Sequence, residues 1–365
     1  MPSSRAAIFH GTGRPFELTE VPVPAPGPGE ILVRNELTTL CRSDLNTFEG
    51  KRTEKTPTIL GHEIVGRIVS FGEGAPWVDA RGQPLHAGDR ITWAIYAADP
   101  DCELARRGIP QKGEGLFKYG HEQVTADSHL HGGLADYCLL RQHTPLVKVD
   151  ESVAAPTAAL INCSIATAAG AWRLAGDLQG RGVLVTGAGM LGVIGAAMCR
   201  RAGAELVVAA DRSEERLAMA QRFGAHETIV VGDVGNDWRS LWETRFGGRK
   251  PDVALDFSGA PDCMEASLDL LGIGGVAVWI GASFPQRDLA VNAESVLRRL
   301  LTIRGLHNYH AGDLVSAVEF VERCHLELPF EELIADVFPL ERVNEAFFAA
   351  TGTSAFRIGI QLDDR

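Results

Sequence analysis

The chain has 365 residues, 45% apolar and 22% charged, ordinary for a globular protein but too long for one hydrophobic core, so two domains are expected. Its formal charge is −12 and no basic run is long enough to hold a phosphate backbone, which excludes nucleic acid as a partner. Seven irregularly spaced cysteines exclude a disulfide framework, and the apolar stretch at the N-terminus is too short for a secretion signal, so a cytoplasmic protein is expected.

In chain order, the first 150 or so residues read as β-rich. "EILVRNEL" and "EIVGRIVSFG" carry strand patterns between Gly/Pro clusters, and Pro22, Pro24, Pro26 and Pro28 mark an extended connector. Val153–Trp172 is uncharged over 20 residues, long enough to span a bilayer. It is mostly alanine, with Pro156, Asn162 and several hydroxyls, which predicts a buried helix near a domain junction and no membrane span. After Gly180 strands alternate with helices: "GVLVTG", "ELVVAAD", "ETIVV", "PDVALDFSG", "GGVAVWIG" and "LTIRGL" make six strands, with "AGMLGVIGAAMCRRAGA", "SEERLAMAQRFGA" and a segment from about Cys263 between them. Such alternation predicts a doubly wound parallel sheet covered on both faces, hence an α/β fold. The tail mixes an amphipathic helix, "DLVSAVEFVERC", with a last strand, "FRIGIQL".

Gly187-x-Gly189-x-x-Gly192 follows the first of these strands and opens a helix at Met190 and Leu191. The glycines allow a tight turn, close approach to a pyrophosphate and close helix–strand packing, and the helix N-terminus offers unpaired N–H groups to phosphates. Asp211 ends the second strand 19 residues after Gly192, where a carboxylate accepts hydrogen bonds from the adenosine ribose and repels a 2′-phosphate. NAD is therefore expected over NADP, with neighbouring Arg212 softening the preference.

Three separated pieces carry metal-ligand chemistry: "CRSDLN" at Cys41, "GHEIVG" at His62 and "INCSIAT" at Cys163. Two thiolates and an imidazole suit a catalytic zinc whose fourth position stays open. "GHE" also occurs at His121, but His62 is preferred because an apolar strand follows it and Asp44, near Cys41, can accept from its second ring nitrogen. His121, with His129 and His131 downstream, reads as a solvated loop.

Cys41, Gly61-His62-Glu63, Cys163 and the glycine fingerprint, in this order, resemble the zinc-dependent alcohol dehydrogenases of the medium-chain dehydrogenase/reductase superfamily. The resemblance implies a GroES-like catalytic domain over 1–160, a Rossmann NAD-binding domain over 161–305 and a return to the catalytic domain over 306–365. It also implies NAD-linked oxidation of an alcohol, or the reverse, with a zinc at Cys41, His62 and Cys163 polarising the substrate oxygen, and a homodimer or homotetramer in which "GGVAVWIG" forms an intersubunit sheet edge. By the same resemblance Ser43 is the relay hydroxyl, Thr167 presses the nicotinamide toward substrate, and Glu63 approaches the metal during ligand exchange. Relatives place a relay histidine where this chain has Asn46, an amide without useful proton affinity. The family's structural-zinc spacing falls on Asp99, Cys102, Ala105 and Gly113, which predicts one catalytic zinc and no structural one.

Lys51, Arg52 and Lys55, between Cys41 and His62, suit an anionic substrate. "GLFKYGHE", "HGGLADY" and "RGLHNYHAGDL" also resemble the family's phosphonate-catabolism-associated branch, which implies a hydroxyalkyl phosphonate or its aldehyde; a polyol or amino alcohol, as in sorbitol or threonine dehydrogenases, is the competing substrate. Two other readings predict no zinc: a quinone- or enoyl-type reductase of the same superfamily, and a non-catalytic NAD-binding protein.

Overall fold

The computed structural model describes residues 2–232 and 238–362. The chain forms two compact units, Met1–Ala166 with His310–Arg365, and Thr167–Tyr309. Both divisions fall a few residues later than the sequence places them; at the first, Asn162 and Ser164 are hydrogen-bonded to the strand after His62 and hold the segment around Cys163 in the first unit. Among the described residues no helix is long and apolar enough to cross a membrane.

In the first unit a seven-stranded sheet runs in the order Ile334–Pro339, Arg357–Gln361, Ile31–Thr39, Glu63–Phe71, Arg90–Trp93, Leu146–Lys148, with Tyr137–Leu140 also paired to Ile31–Thr39. Alternation along the long strand feeds two cores. Ile31 and Val33 pack with Ile64, Ile68 and Trp93, while Leu32 joins Phe9, Phe16, Leu134 and Phe347. The C-terminal strand Arg357–Gln361 pairs antiparallel with Ile31–Thr39, and that pairing carries the tail back into the first unit.

The second unit is a parallel sheet in the order Glu227–Val230, Leu206–Asp211, Gly182–Thr186, Val253–Asp256, Val276–Trp279, Thr302–Gly305. The chain order reverses between Gly182–Thr186 and Val253–Asp256, the switch point at which open α/β sheets bind ligands. Gly182–Thr186 is buried throughout, as a strand covered on both faces must be. The expectation for "GGVAVWIG" is corrected here: Val276–Trp279 pairs on both sides, so its backbone is already satisfied, and the edge strands are Thr302–Gly305 and Glu227–Val230.

Candidate functional site

Sheet register brings two of the predicted ligands together. Thr39 pairs with Glu63 across antiparallel strands, so Cys41 and His62, just beyond the paired ends, become neighbours. Cys41 caps the helix Arg42–Phe48, and Asp44 in its first turn accepts from the Cys41 N–H at 2.9 Å. The same carboxylate lies 3.3 Å from His62 Nδ1 and accepts from the Gly61 N–H at 3.3 Å, fixing ring and backbone at once. Cys163 sits mid-way through a π-helical turn, Ile161–Ile165, a distortion common at functional sites. Asn162 holds that turn in place. Its amide donates to the carbonyls of His62 at 2.9 Å and Trp93 at 2.8 Å, and its oxygen accepts from Ile64 N–H at 3.1 Å.

The ligand atoms of Cys41, His62 and Cys163 lie within 4.8 Å of one another, and no other such group occurs among the described residues. The sulfurs are 4.0 Å apart. Two sulfurs bound tetrahedrally to one zinc at ~2.3 Å stand about 3.8 Å apart, so the set fits with little movement. Its electrostatics fit as well. Sharing the Cys163 proton pulls the Cys41 thiol well down against burial, with Arg357 and His62 helping, while Cys163 itself is pushed up by the same bond and by burial. Burial opposes a charged His62, but Asp44 and Cys41 outweigh it and raise the imidazole. A divalent cation would let both thiols ionise and the ring stay neutral.

Glu63 lies outside this group. Its carboxylate is fully buried and clasped by Arg357, with Nε to Oε2 at 2.7 Å and Nη2 to Oε1 at 2.8 Å; Thr39 and Ser164 hydroxyls donate to it at 2.5 and 2.9 Å. Arg357 also reaches Ser164 Oγ at 2.7 Å and Cys41 Sγ at 3.8 Å. Sequence reasoning missed Asn162 and Arg357; an arginine inside the apolar stretch "FRIGIQL" was the available signal. Ser43 Oγ stands 3.4 Å from His62 Nε2, and Asn46 is buried on the same helix. Thr167 is half-buried one turn beyond Cys163.

The solvated-loop expectation for His121 and His131 is wrong. His131 is 2% exposed, and burial lowers its imidazole to about 4. His121 packs its ring 5.1 Å from that of His62 and places Nδ1 3.1 Å from Glu54 Oε1. Only His129 stays near the surface, 2.8 Å from the Pro22 carbonyl. Glycines cause the burial: a Cβ on Gly120 would stand 2.6 Å from the Gly61 oxygen, and one on Gly132 2.0 Å from the Ile59 oxygen. Of the three predicted cations, Lys51 is exposed and pairs with Glu49 at 2.9 Å, Lys55 is exposed, and Arg52 pairs with Glu54 at 2.6 Å. Cys102 caps the short helix Glu103–Arg106, accepting from Ala105 N–H at 3.4 Å.

In the second unit the fingerprint glycines divide the three tasks. Gly187 has φ +86, and a Cβ there would meet Ser258 N at 2.6 Å; Gly189 caps the helix Met190–Arg201 and opens onto empty space; a Cβ on Gly192 would stand 1.7 Å from the Gly187 oxygen. Met190 is buried and Leu191 half-buried in that helix's first turn. The cradle at Gly189, which a side chain would fill, fits a pyrophosphate. Asp211 accepts from Ala188 N–H at 2.6 Å and Ser213 N–H at 2.9 Å, which fixes its carboxylate beside the loop; Arg212 is exposed. Asp256 joins the two strands at the switch point, accepting from Thr186 Oγ1 at 2.7 Å and Gly259 N–H at 3.0 Å. Gly192→Ala is expected to weaken NADH binding at least about tenfold in a fluorescence titration, because the loop must move to admit the methyl group. Unchanged affinity would contradict this packing.

The family described as alcohol dehydrogenase GroES-like domain matches residues 27–151, and that described as zinc-binding dehydrogenase matches residues 191–323. L-threonine 3-dehydrogenase of Saccharopolyspora erythraea is 28% identical over 357 residues, 95% of each chain, and that of Pyrococcus horikoshii is 29% identical over 300 residues, 80% of each. Among solved structures, an alcohol dehydrogenase from Thermotoga maritima superposes with a TM-score of 0.91 at 25% identity, covering 99% of this chain and 100% of its own.

Proposed function

Since the chain belongs to the zinc-dependent alcohol dehydrogenases of the medium-chain dehydrogenase/reductase superfamily, an oxidoreductase acting on CH–OH groups, we propose that it uses NAD to oxidise an alcohol that carries an anionic group. The observation that carries the chemistry is the convergence of Cys41, His62 and Cys163. When bound, zinc supplies Lewis acidity toward the substrate oxygen, and the nicotinamide accepts the hydride.

The chain's own residues do the rest. Cys41, His62 and Cys163 would hold the metal, with Asp44 fixing the imidazole through Nδ1 and leaving Nε2 as the ligand atom. Ser43 Oγ is the hydroxyl positioned to receive the substrate proton. Asn46 cannot pass that proton on, so it leaves by water or another base. Thr167 orients the nicotinamide. Gly187, Gly189 and Gly192 admit the pyrophosphate, and Asp211 receives the adenosine ribose, which favours NAD over NADP.

A hydroxyalkyl phosphonate is the proposed substrate, with an amino alcohol such as L-threonine as the second reading, favoured by the relatives' activity. One zinc per chain is proposed, since Asp99, Ala105 and Gly113 offer no cysteine partner to Cys102. Seven free thiols favour a reducing cytoplasm, and the open edge Thr302–Gly305 favours a homodimer or larger assembly.

The test is NADH formation by the zinc-loaded protein with 2-hydroxyethylphosphonate, L-threonine, sorbitol and unsubstituted alcohols, repeated with NADP. We expect turnover with NAD, and kcat/KM for the phosphonate at least about tenfold above that for sorbitol. Absence of NADH with every alcohol from protein holding one zinc overturns the reading.

A further inference from the structure

We infer that Lys118 and Arg52 form an anion clamp beside the metal site, built to hold a phosphonate or carboxylate head group of the substrate a few atoms from its hydroxyl; this rests on the dehydrogenase reading above. Lys118 ends the short strand Phe117–Lys118, and its carbonyl accepts from the His121 N–H at 3.3 Å, closing a turn over residues 118–121. Gly120 seats this turn directly on the backbone of Gly61, the neighbour of His62. From the metal ligand outward the contacts are continuous. The His62 and His121 rings lie 5.1 Å apart, His121 Nδ1 is 3.1 Å from Glu54 Oε1, and that oxygen is 2.6 Å from Arg52 Nε.

Arg52 and Lys118 face two carboxylates here, Glu54 and Glu122, but neither carboxylate forms an ion pair with Lys118. Glu54 is shared between Arg52 and His121. Glu122 turns Oε1 to the backbone N–H of Lys118, at 3.3 Å. Lys118 is half-buried, yet its ammonium has no ion-pair partner among the described residues. Burial, aided by Arg52 and Lys112 and opposed by Glu54 and Glu122, holds its pKa below the ordinary lysine value. A half-buried ammonium in direct contact with no carboxylate is poorly compensated, and an arriving anion would pair with it. Among the cations of the 51–55 segment only Arg52 joins this cluster, since Lys51 is exposed and neutralised by Glu49. Lys118 was invisible as a partner in the sequence, because 66 positions separate it from Arg52.

The clamp is tested by calorimetric titration of the zinc-loaded protein with methylphosphonate and, separately, with acetate, using the unaltered chain, Lys118→Met and Lys118→Arg. We expect Lys118→Met to weaken binding of the preferred anion about ten- to a hundredfold and Lys118→Arg to restore most of it. Tighter methylphosphonate assigns a phosphonate substrate, and tighter acetate a carboxylate. In turnover, the ratio of kcat/KM for 2-hydroxyethylphosphonate to that for 1-propanol should fall by a similar factor in Lys118→Met, mostly through KM. No binding of either anion by the unaltered chain, or equal binding by the unaltered chain and Lys118→Met, overturns the clamp. Absence of turnover with any alcohol sinks the dehydrogenase reading instead, while the titration still decides the clamp.

Discussion

Cys163→Ala is expected to purify with almost no zinc, where the unaltered chain carries about one ion, and to lose at least about a thousandfold in kcat. Two ligands, Cys41 and His62, cannot complete the site, and the alanine withdraws one of the two thiolates whose charge balances the cation. Elemental analysis beside circular dichroism separates metal loss from unfolding. Zinc retained at one ion per chain would place the metal elsewhere, and full activity without zinc would move the zinc-free reductase reading to the front. Acid should imitate the substitution. His62 is raised well above its ordinary value by Asp44 and Cys41 against burial, so its proton competes with the metal, and zinc retention should fall as pH is lowered.

Arg357→Met carries the largest expected effect on stability. It leaves the fully buried Glu63 carboxylate with only the Thr39 and Ser164 hydroxyls as donors, and breaking a buried pair from one side costs about 3–5 kcal/mol. The urea midpoint of the zinc-loaded protein reports it. Burial already pushes Glu63 up in spite of Arg357, and removing the guanidinium pushes it further. A carboxyl whose folded pKa exceeds its unfolded value stabilises the fold at low pH and loses that contribution as pH rises through the folded pKa. The variant's deficit should therefore be largest at neutral pH and shrink in mild acid. Glu63→Gln added to Arg357→Met should recover much of the loss, because no buried charge remains. A loss below about 1 kcal/mol at neutral pH, or no recovery in the double variant, would show that the pair is not what holds this corner of the sheet.

What could be read directly from the residues was local. Gly187, Gly189 and Gly192 declare their turn because the constraint each meets is set by backbone within a few residues or by the strand alongside, and only glycine satisfies it. The six-strand alternation is legible for the same reason, since strand and helix periods are short-range. Cys41, His62 and Cys163 could be chosen by side-chain chemistry, and Asp44 by its spacing from Cys41. His121 and His131 were misread because polarity and nearby glycines resemble an open loop; the same glycines let the segment press against Gly61 and Ile59.

By itself, then, the amino-acid order determined the α/β class, the dinucleotide turn and the types of atom offered to a metal, all through interactions that span a few residues. Only the tertiary structure decided how those atoms converge and what supports them. Asn162 anchors the Cys163 turn on the strand after His62 across about a hundred positions, Arg357 meets Glu63 across 294, and the turn over residues 118–121 lies on Gly61. These partners are set by sheet register and by burial of charge. Neither leaves a mark in the neighbouring sequence, because the energy that fixes them arises when distant segments exclude water together.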